Sequence, residues 1–285
     1  MSKIKPKKMG LIIGLSILFV IVIRKCSFHT LPKQRITSAK LDIQHQYADS
    51  VYQLTIKNLI ACPNRFYLSS SEKDIHDIVG ATSPLVLQGK ADTTITVSNK
   101  GDLKDKIDIK FKWGNPDLPI QTSKIERLPF PKSRNYELLQ GNNSNPTHNH
   151  DVSRYAFDFT MKIGDTITSS QNGYVVTLID EYKGWGRSSK WKSFSNQIMI
   201  YDTSSNLFTM YGHLKQHGSL VELGQFVEIG QPIALSGQTG LAPEEHLHFN
   251  VFSANDGKSG LTSYRLDSIG NYKVKDLKRY QLMEN

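Results

Sequence analysis

Glu245-His246-Leu247-His248-Phe249-Asn250-Val251 is the stretch around which the chain reads. On a β-strand, residues two apart share a face. His246 and His248 then project side by side, while Leu247 and Phe249 turn the other way into a core. Two imidazoles on one rigid face offer a metal ligand and an acid/base group together. An isolated H-x-H pair is equally what two surface histidines on a strand look like. Its meaning therefore depends on whether further ligands stand elsewhere in the chain.

Moving upstream, Gln238-Thr239-Gly240 forms the last turn before this strand. Glycines recur at Gly218, Gly224, Gly230 and Gly237, in steps of six, six and seven. Short strands punctuated by glycine at even intervals predict a tightly wound antiparallel β-structure. Asn196-Gln197-Ile198-Met199-Ile200-Tyr201 alternates as a strand does. After a turn at Ser204-Ser205-Asn206, the segment Phe208-Thr209-Met210-Tyr211-Gly212-His213-Leu214 places His213 at a strand end. Further back, His148 and His150 precede Tyr155-Ala156-Phe157-Asp158-Phe159. A carboxylate set among aromatics on a strand is costly unless something pairs with it, either backbone N–H groups or a metal ion.

In combination these segments resemble peptidase family M23, the lysostaphin- and LytM-like zinc endopeptidases. The resemblance rests on Asp158 with its aromatic flanks, Tyr211-x-His213-Leu214, the glycine run, Ser236-Gly237-Gln238-Thr239-Gly240 and His246-Leu247-His248-Phe249. It spans roughly residues 145–253. It implies an all-β, barrel-like sandwich with its site in a groove on one sheet, and cleavage of peptide bonds in bacterial peptidoglycan. It further implies one zinc per chain, held by Asp158, His248 and an upstream histidine, with His213 and His246 as the non-ligand catalytic histidines. His148 and His150 both stand upstream; Thr147 before His148 fits the family pattern and favours His148. Three such ligands leave a tetrahedral zinc one open position. Of the catalytic pair, His246 is favoured as the base because it lies beside ligand His248. The chain departs from the family in having Glu245, where proline is usual, before His246.

Towards the N-terminus, residues 114–147 read as a connector, broken by Pro116, Pro119, Pro129, Pro131 and Pro146. Residues 36–113 read as a small β-sandwich. Tyr52, Leu54 and Ile56 alternate with polar residues, as do Ile107, Ile109, Phe111 and Trp113. That unit carries no cluster of metal-ligating residues, so spacing or binding is its expected role. The metallopeptidase-like domain is expected over 148–255. The tail 256–285 alternates weakly at Tyr272 and Val274 and carries no functional motif.

Residues 1–35 form the last element. Lys3, Lys5, Lys7 and Lys8 precede an uncharged run, Met9–Ile23, and Arg24 and Lys25 follow it without a small-x-small cleavage site. The expectation is an uncleaved membrane anchor that leaves the remainder exported to the cell envelope. As a helix the run spans only ~23 Å, and flanking lysines and arginines would have to snorkel to complete the crossing. Eight cations in residues 1–35, with no acid, account for all but one unit of the formal +9 charge. The body is nearly neutral, which disfavours nucleic acid as a partner. Two cysteines, Cys26 and Cys62, make no disulfide framework. A lipoyl- or biotinyl-type carrier would need a lysine at a hairpin tip, and Leu220–Gly240 has none. The alternative with more support is a non-enzymatic M23-like activator or cell-wall-binding protein. Against it, candidates stand at all five positions. Loops Gly141–Asn145 and Tyr182–Phe194, the latter with Trp185 and Trp191, are the expected seats of specificity.

Overall fold

The computed structural model describes residues 30–36, 41–258 and 260–285. The expected anchor at Met9–Ile23 lies outside these residues. Among the described residues, no helix is long and apolar enough to cross a membrane.

The first part of the chain contains β1 (Leu41–Ala48), β2 (Val51–Asn58), β3 (Asn64–Ser69), β4 (Leu85–Leu87), β5 (Asp92–Ser98) and β6 (Asp108–Trp113). They form two three-stranded antiparallel sheets, β1-β2-β5 and β4-β3-β6. The period-two pattern acts as its chemistry dictates: Tyr52, Leu54 and Ile56 on β2 are fully buried and share one core with Phe66 and Leu68 on β3. A short helix, α1 (Lys73–Gly80), was not expected from the sequence. It inserts Ile75 and Val79, one helical turn apart, into that core. Cys62 is buried and free, and burial pushes its thiol pKa upward.

The second part begins with β7 (Lys124–Ile125), β8 (Asn135–Gln140), β9 (Phe157–Phe159), β10 (Thr166–Thr168) and β11 (Gly173–Ile179). It continues with β12 (Gln197–Asp202), β13 (Leu207–Gly212), β14 (Leu214–Ser219), β15 (Phe226–Val227), β16 (Pro232–Ser236) and β17 (Leu247–Ala254). Then come β18 (Leu261–Ser263), β19 (Ser268–Ile269), β20 (Tyr272–Lys273) and β21 (Leu282–Glu284). A nine-stranded sheet runs in the order β15-β11-β12-β13-β17-β9-β8-β21, with β18 added to β17. Strand β8 falls within the stretch read as connector, and β21 within the tail; both extend the sheet that carries Asp158.

The expected barrel-like closure is corrected. The sheet is open: β15 pairs only with β11, and β21 only with β8. These end strands, of two and three residues, do not pair with each other, so no ring closes. Its core is capped instead by a second sheet, β10-β16-β14, which contributes Ile167, Leu214, Ile233 and Ala234.

Both faces of the large sheet are covered, and the alternation along each strand decides which side chain goes where. Ile198, Ile200, Tyr211, Leu247, Phe249 and Val251 point into the core beneath the second sheet. Their neighbours Met199, Tyr201, Phe208 and Phe252 point oppositely and pack with Ile60, Cys62 and Trp113 from the first part of the chain. Fully burying one such aromatic contributes about 1.5–3 kcal/mol. Arg65 pins this contact. Its side chain is 2% exposed, donates to the carbonyls of Gly114 (3.0 Å), Trp113 (3.1 Å) and Asn255 (2.7 Å), and pairs with Asp256 at 2.6 Å. His248 lies on this second face, beyond the region the first part covers.

Candidate metal centre

Three adjacent strands build the site. Asp158 on β9 stands directly opposite His248 on β17, and His248 stands opposite Gly212, the last residue of β13. Phe157 and Phe159 lie in the core, so Asp158 is turned to the other face. Strand period alone therefore places a carboxylate beside an imidazole.

His148 arrives from a loop. Its N–H donates to Ser144 O at 3.0 Å, and its Nδ1 sits 3.0 Å from Gly141 O. A carbonyl only accepts, so Nδ1 carries the proton and Nε2 presents a lone pair. His148 is completely buried, and Nε2 has no hydrogen-bond partner although Asp158 Oδ2 is 3.2 Å away. The other carboxylate oxygen, Oδ1, lies 2.8 Å from His248 Nδ1. One nitrogen of each histidine and one oxygen of Asp158 all fall within 4.8 Å of one another. A buried imidazole nitrogen without a hydrogen-bond partner, a carboxylate and a second imidazole suit zinc in donor type and number. His150, the other upstream candidate, is exposed and outside the cluster; His217 is exposed as well.

His213 and His246 flank the cluster without joining it. Their ring centroids are 4.6 Å apart. His246 Nδ1 meets Glu244 O at 2.9 Å, and its Nε2 is 4.0 Å from Asp158 Oδ1. His213 Nδ1 meets Thr239 O at 2.7 Å. Each Nδ1 therefore donates to a carbonyl, and each neutral ring leaves Nε2 as an acceptor.

The electrostatics follow. Burial works against the charge on Asp158, but the positive field of His246 and the contacts from His148 and His248 outweigh it, so the carboxyl is held well below its ordinary range. Burial likewise pulls His148 down, yet the Asp158 carboxylate and the carbonyls of Gly141 and Ala156 leave its pKa raised. Burial first, then the like charges of His246 and His248, push His213 down to about 3.

His213 sits at φ 61, the left-handed region that non-glycine residues seldom adopt. A network that the sequence reading missed holds it there. Ser195 Oγ accepts the His213 N–H at 3.1 Å. Buried Asn196 joins Tyr182 to Leu214, donating to their carbonyls at 2.8 and 3.3 Å. Thr239 Oγ1 accepts from Asn196 N at 3.0 Å and donates to Leu214 O at 2.9 Å. Thr239 stood in the quoted glycine-flanked turn and Asn196 at the head of an alternating strand, but neither position announces a hydrogen bond.

Gly240 closes this network at φ 81, and a Cβ there would come within 2.8 Å of Ser195 Cβ. Gly240→Ala should therefore displace the turn at Ser195 that supports His213. The expected cost is about 1–3 kcal/mol in stability, read from denaturant midpoints. An unchanged midpoint would show that the turn yields without strain.

Residues 153–259 match the model of peptidase family M23. The M23 match contains Asp158, His213, His246 and His248 and begins five residues after His148. Solved structures with a similar chain include lysostaphin from Staphylococcus simulans, 25% identical over 45% of this chain and 47% of that one, TM-score 0.34. LytU is 23% identical over 46% and 82%, TM-score 0.35. A zinc-containing peptidase from Vibrio cholerae is 19% identical over 73% and 81%, TM-score 0.34. The chain spans about half the length of the lysostaphin chains it matches. No curated protein matches it.

Proposed function

We propose that this protein is a zinc metalloendopeptidase that cleaves peptide bonds in bacterial peptidoglycan. The observation that carries this reading is the convergence of His148, Asp158 and His248 beside two further histidines, within and just ahead of an M23-matching segment. His148 through Nε2, Asp158 through its carboxylate and His248 through Nδ1 would hold the metal. When bound there, zinc supplies Lewis acidity and lowers the pKa of water towards ~7. His246 takes the proton from the attacking water and passes it to the departing amine nitrogen as the C–N bond breaks. Nε2 of His246 lies 4.0 Å from the Asp158 carboxylate, at the edge of the ligand cluster. His213 is held neutral, so it serves as an acceptor that orients water or a substrate N–H rather than as a donor to the oxyanion.

The domain reading joins this proposal: residues 148–255 form the metallopeptidase domain, preceded by a β-sandwich at 36–113, and Met9–Ile23 stays as a membrane anchor at the cell envelope. The mature protein should keep its N-terminus and sediment with membranes. A soluble mature form that starts after Cys26 would contradict that placement.

Metal binding should weaken on acidification, because each ligand imidazole must shed its proton to bind. The raised pKa of His148 sets the direction: competition begins above the ordinary histidine value of ~6.5 and grows as pH falls. Zinc titrations between roughly pH 5.5 and 7.5 check this; affinity independent of pH would place the metal elsewhere. Digestion of purified peptidoglycan by the zinc-loaded protein, followed by release of new amino termini, tests the activity itself. Stoichiometric zinc without cleavage of any wall preparation would favour the non-enzymatic activator or wall-binding alternative.

A further inference from the structure

The tail, which the sequence left without a role, builds a cavity outside the metal centre. A space of about 630 Å³ is lined by Arg265, Lys273 and Lys275 together with Asn142, Asn143 and Asp267. It adjoins a second space of about 360 Å³, and the two share Asn142, Val274 and Lys275. The second adds Arg279 and the amide of Gln140. Together these volumes suit a small ligand.

Four cations and one carboxylate face this space, and the carboxylate is engaged: Asp267 Oδ2 accepts from Ser123 Oγ at 2.5 Å. Arg279 Nε donates to Leu139 O. Among the described residues, the side chains of Arg265, Lys273 and Lys275 have no ion-pair or hydrogen-bond partner. Three unpaired cations around one concavity repel one another and attract an anion. Leu266 and Val274 give it an apolar floor, and the side-chain amide of Asn143 supplies a donor and an acceptor for a hydroxyl group.

We propose that this cavity binds an oxyanion, phosphate or carboxylate, borne on a hydroxylated body such as a sugar or polyol. A guanidinium fork and two ammonium groups match either oxyanion. The second space backs onto the metal centre, because Gly141 lines it while its carbonyl holds His148 Nδ1. Binding there needs neither zinc nor cleavage, so it is measured independently of the hydrolytic reading.

The experiment titrates the full chain, by calorimetry at low salt, with glucose 6-phosphate, glucuronate and uncharged glucose. At least one anion should bind tenfold or more tightly than glucose, and added salt should weaken it. The phosphate-to-carboxylate ratio identifies which source of oxyanion the cavity favours. The combined variant Arg265→Gln, Lys273→Gln, Lys275→Gln should lose that binding by tenfold or more. The same charge change placed elsewhere, Lys104→Gln, Lys110→Gln, Lys132→Gln, should keep it. All six side chains are at least partly exposed, so both variants should fold, and melting curves verify this. If neither anion outbinds glucose, or if the two variants lose binding equally, the proposal is overturned.

Discussion

Arg65→Ala should destabilise the protein by about 3–5 kcal/mol, the scale on which a buried, multiply bonded charge fails when its partners are orphaned. The guanidinium is almost completely enclosed and satisfies the carbonyls of Gly114, Trp113 and Asn255 at once. Removing it leaves those acceptors without donors at the seam where Cys62 and Trp113 meet Met199, Tyr201 and Phe208. Its ionic partner contributes differently. The Asp256 side chain is 83% exposed, so Asp256→Asn should cost under about 1 kcal/mol. Chemical denaturation of both variants checks the contrast. Equal effects would mean that the ion pair, not the carbonyl network, makes the clasp. Asn255 follows directly from β17, so this clasp also fixes the far end of the strand that carries His248.

The second large effect separates two histidines only two residues apart. His246→Ala should keep zinc near one per chain while cleavage falls by roughly 10²–10⁴-fold, the contribution of a positioned proton-transfer group. His248→Ala should lose both metal and activity, because the proposal makes its Nδ1, 2.8 Å from the Asp158 carboxylate, a metal ligand. Asp158→Ala should behave like His248→Ala, and His213→Ala like His246→Ala. Metal analysis and peptidoglycan digestion on each folded variant give the comparison. Equal zinc loss from His246→Ala and His248→Ala would dissolve the division of roles.

Much of this site is legible in sequence because strand period is a strict rule. Leu247 and Phe249 enter the core and His248 faces away, as alternation requires, and Asp158 between Phe157 and Phe159 follows the same logic on the adjoining strand. Alternation also marked the strands that became β2, β6 and β12. What stayed hidden depends on pairings distant in sequence. Strand β8 reads as connector amid prolines until β9 and β21 pair with it. Openness of the large sheet depends on its two end strands leaving each other unpaired, which residue pattern does not encode. Arg65 looks like any strand arginine until residues 190 or more positions away close over it. Asn196, Ser195 and Thr239 support His213 through hydrogen bonds that need three loops to assemble. His148 and His150 are chemically alike in sequence and differ only because the loop buries the first and exposes the second.

That last difference offers the most direct test of the metal centre. Zinc per folded chain should be measured for His148→Ala and His150→Ala beside the unmodified protein. The account predicts about one zinc for the unmodified protein and for His150→Ala, with most of the metal lost from His148→Ala. Retention of zinc by His148→Ala, or its loss from His150→Ala, would contradict it.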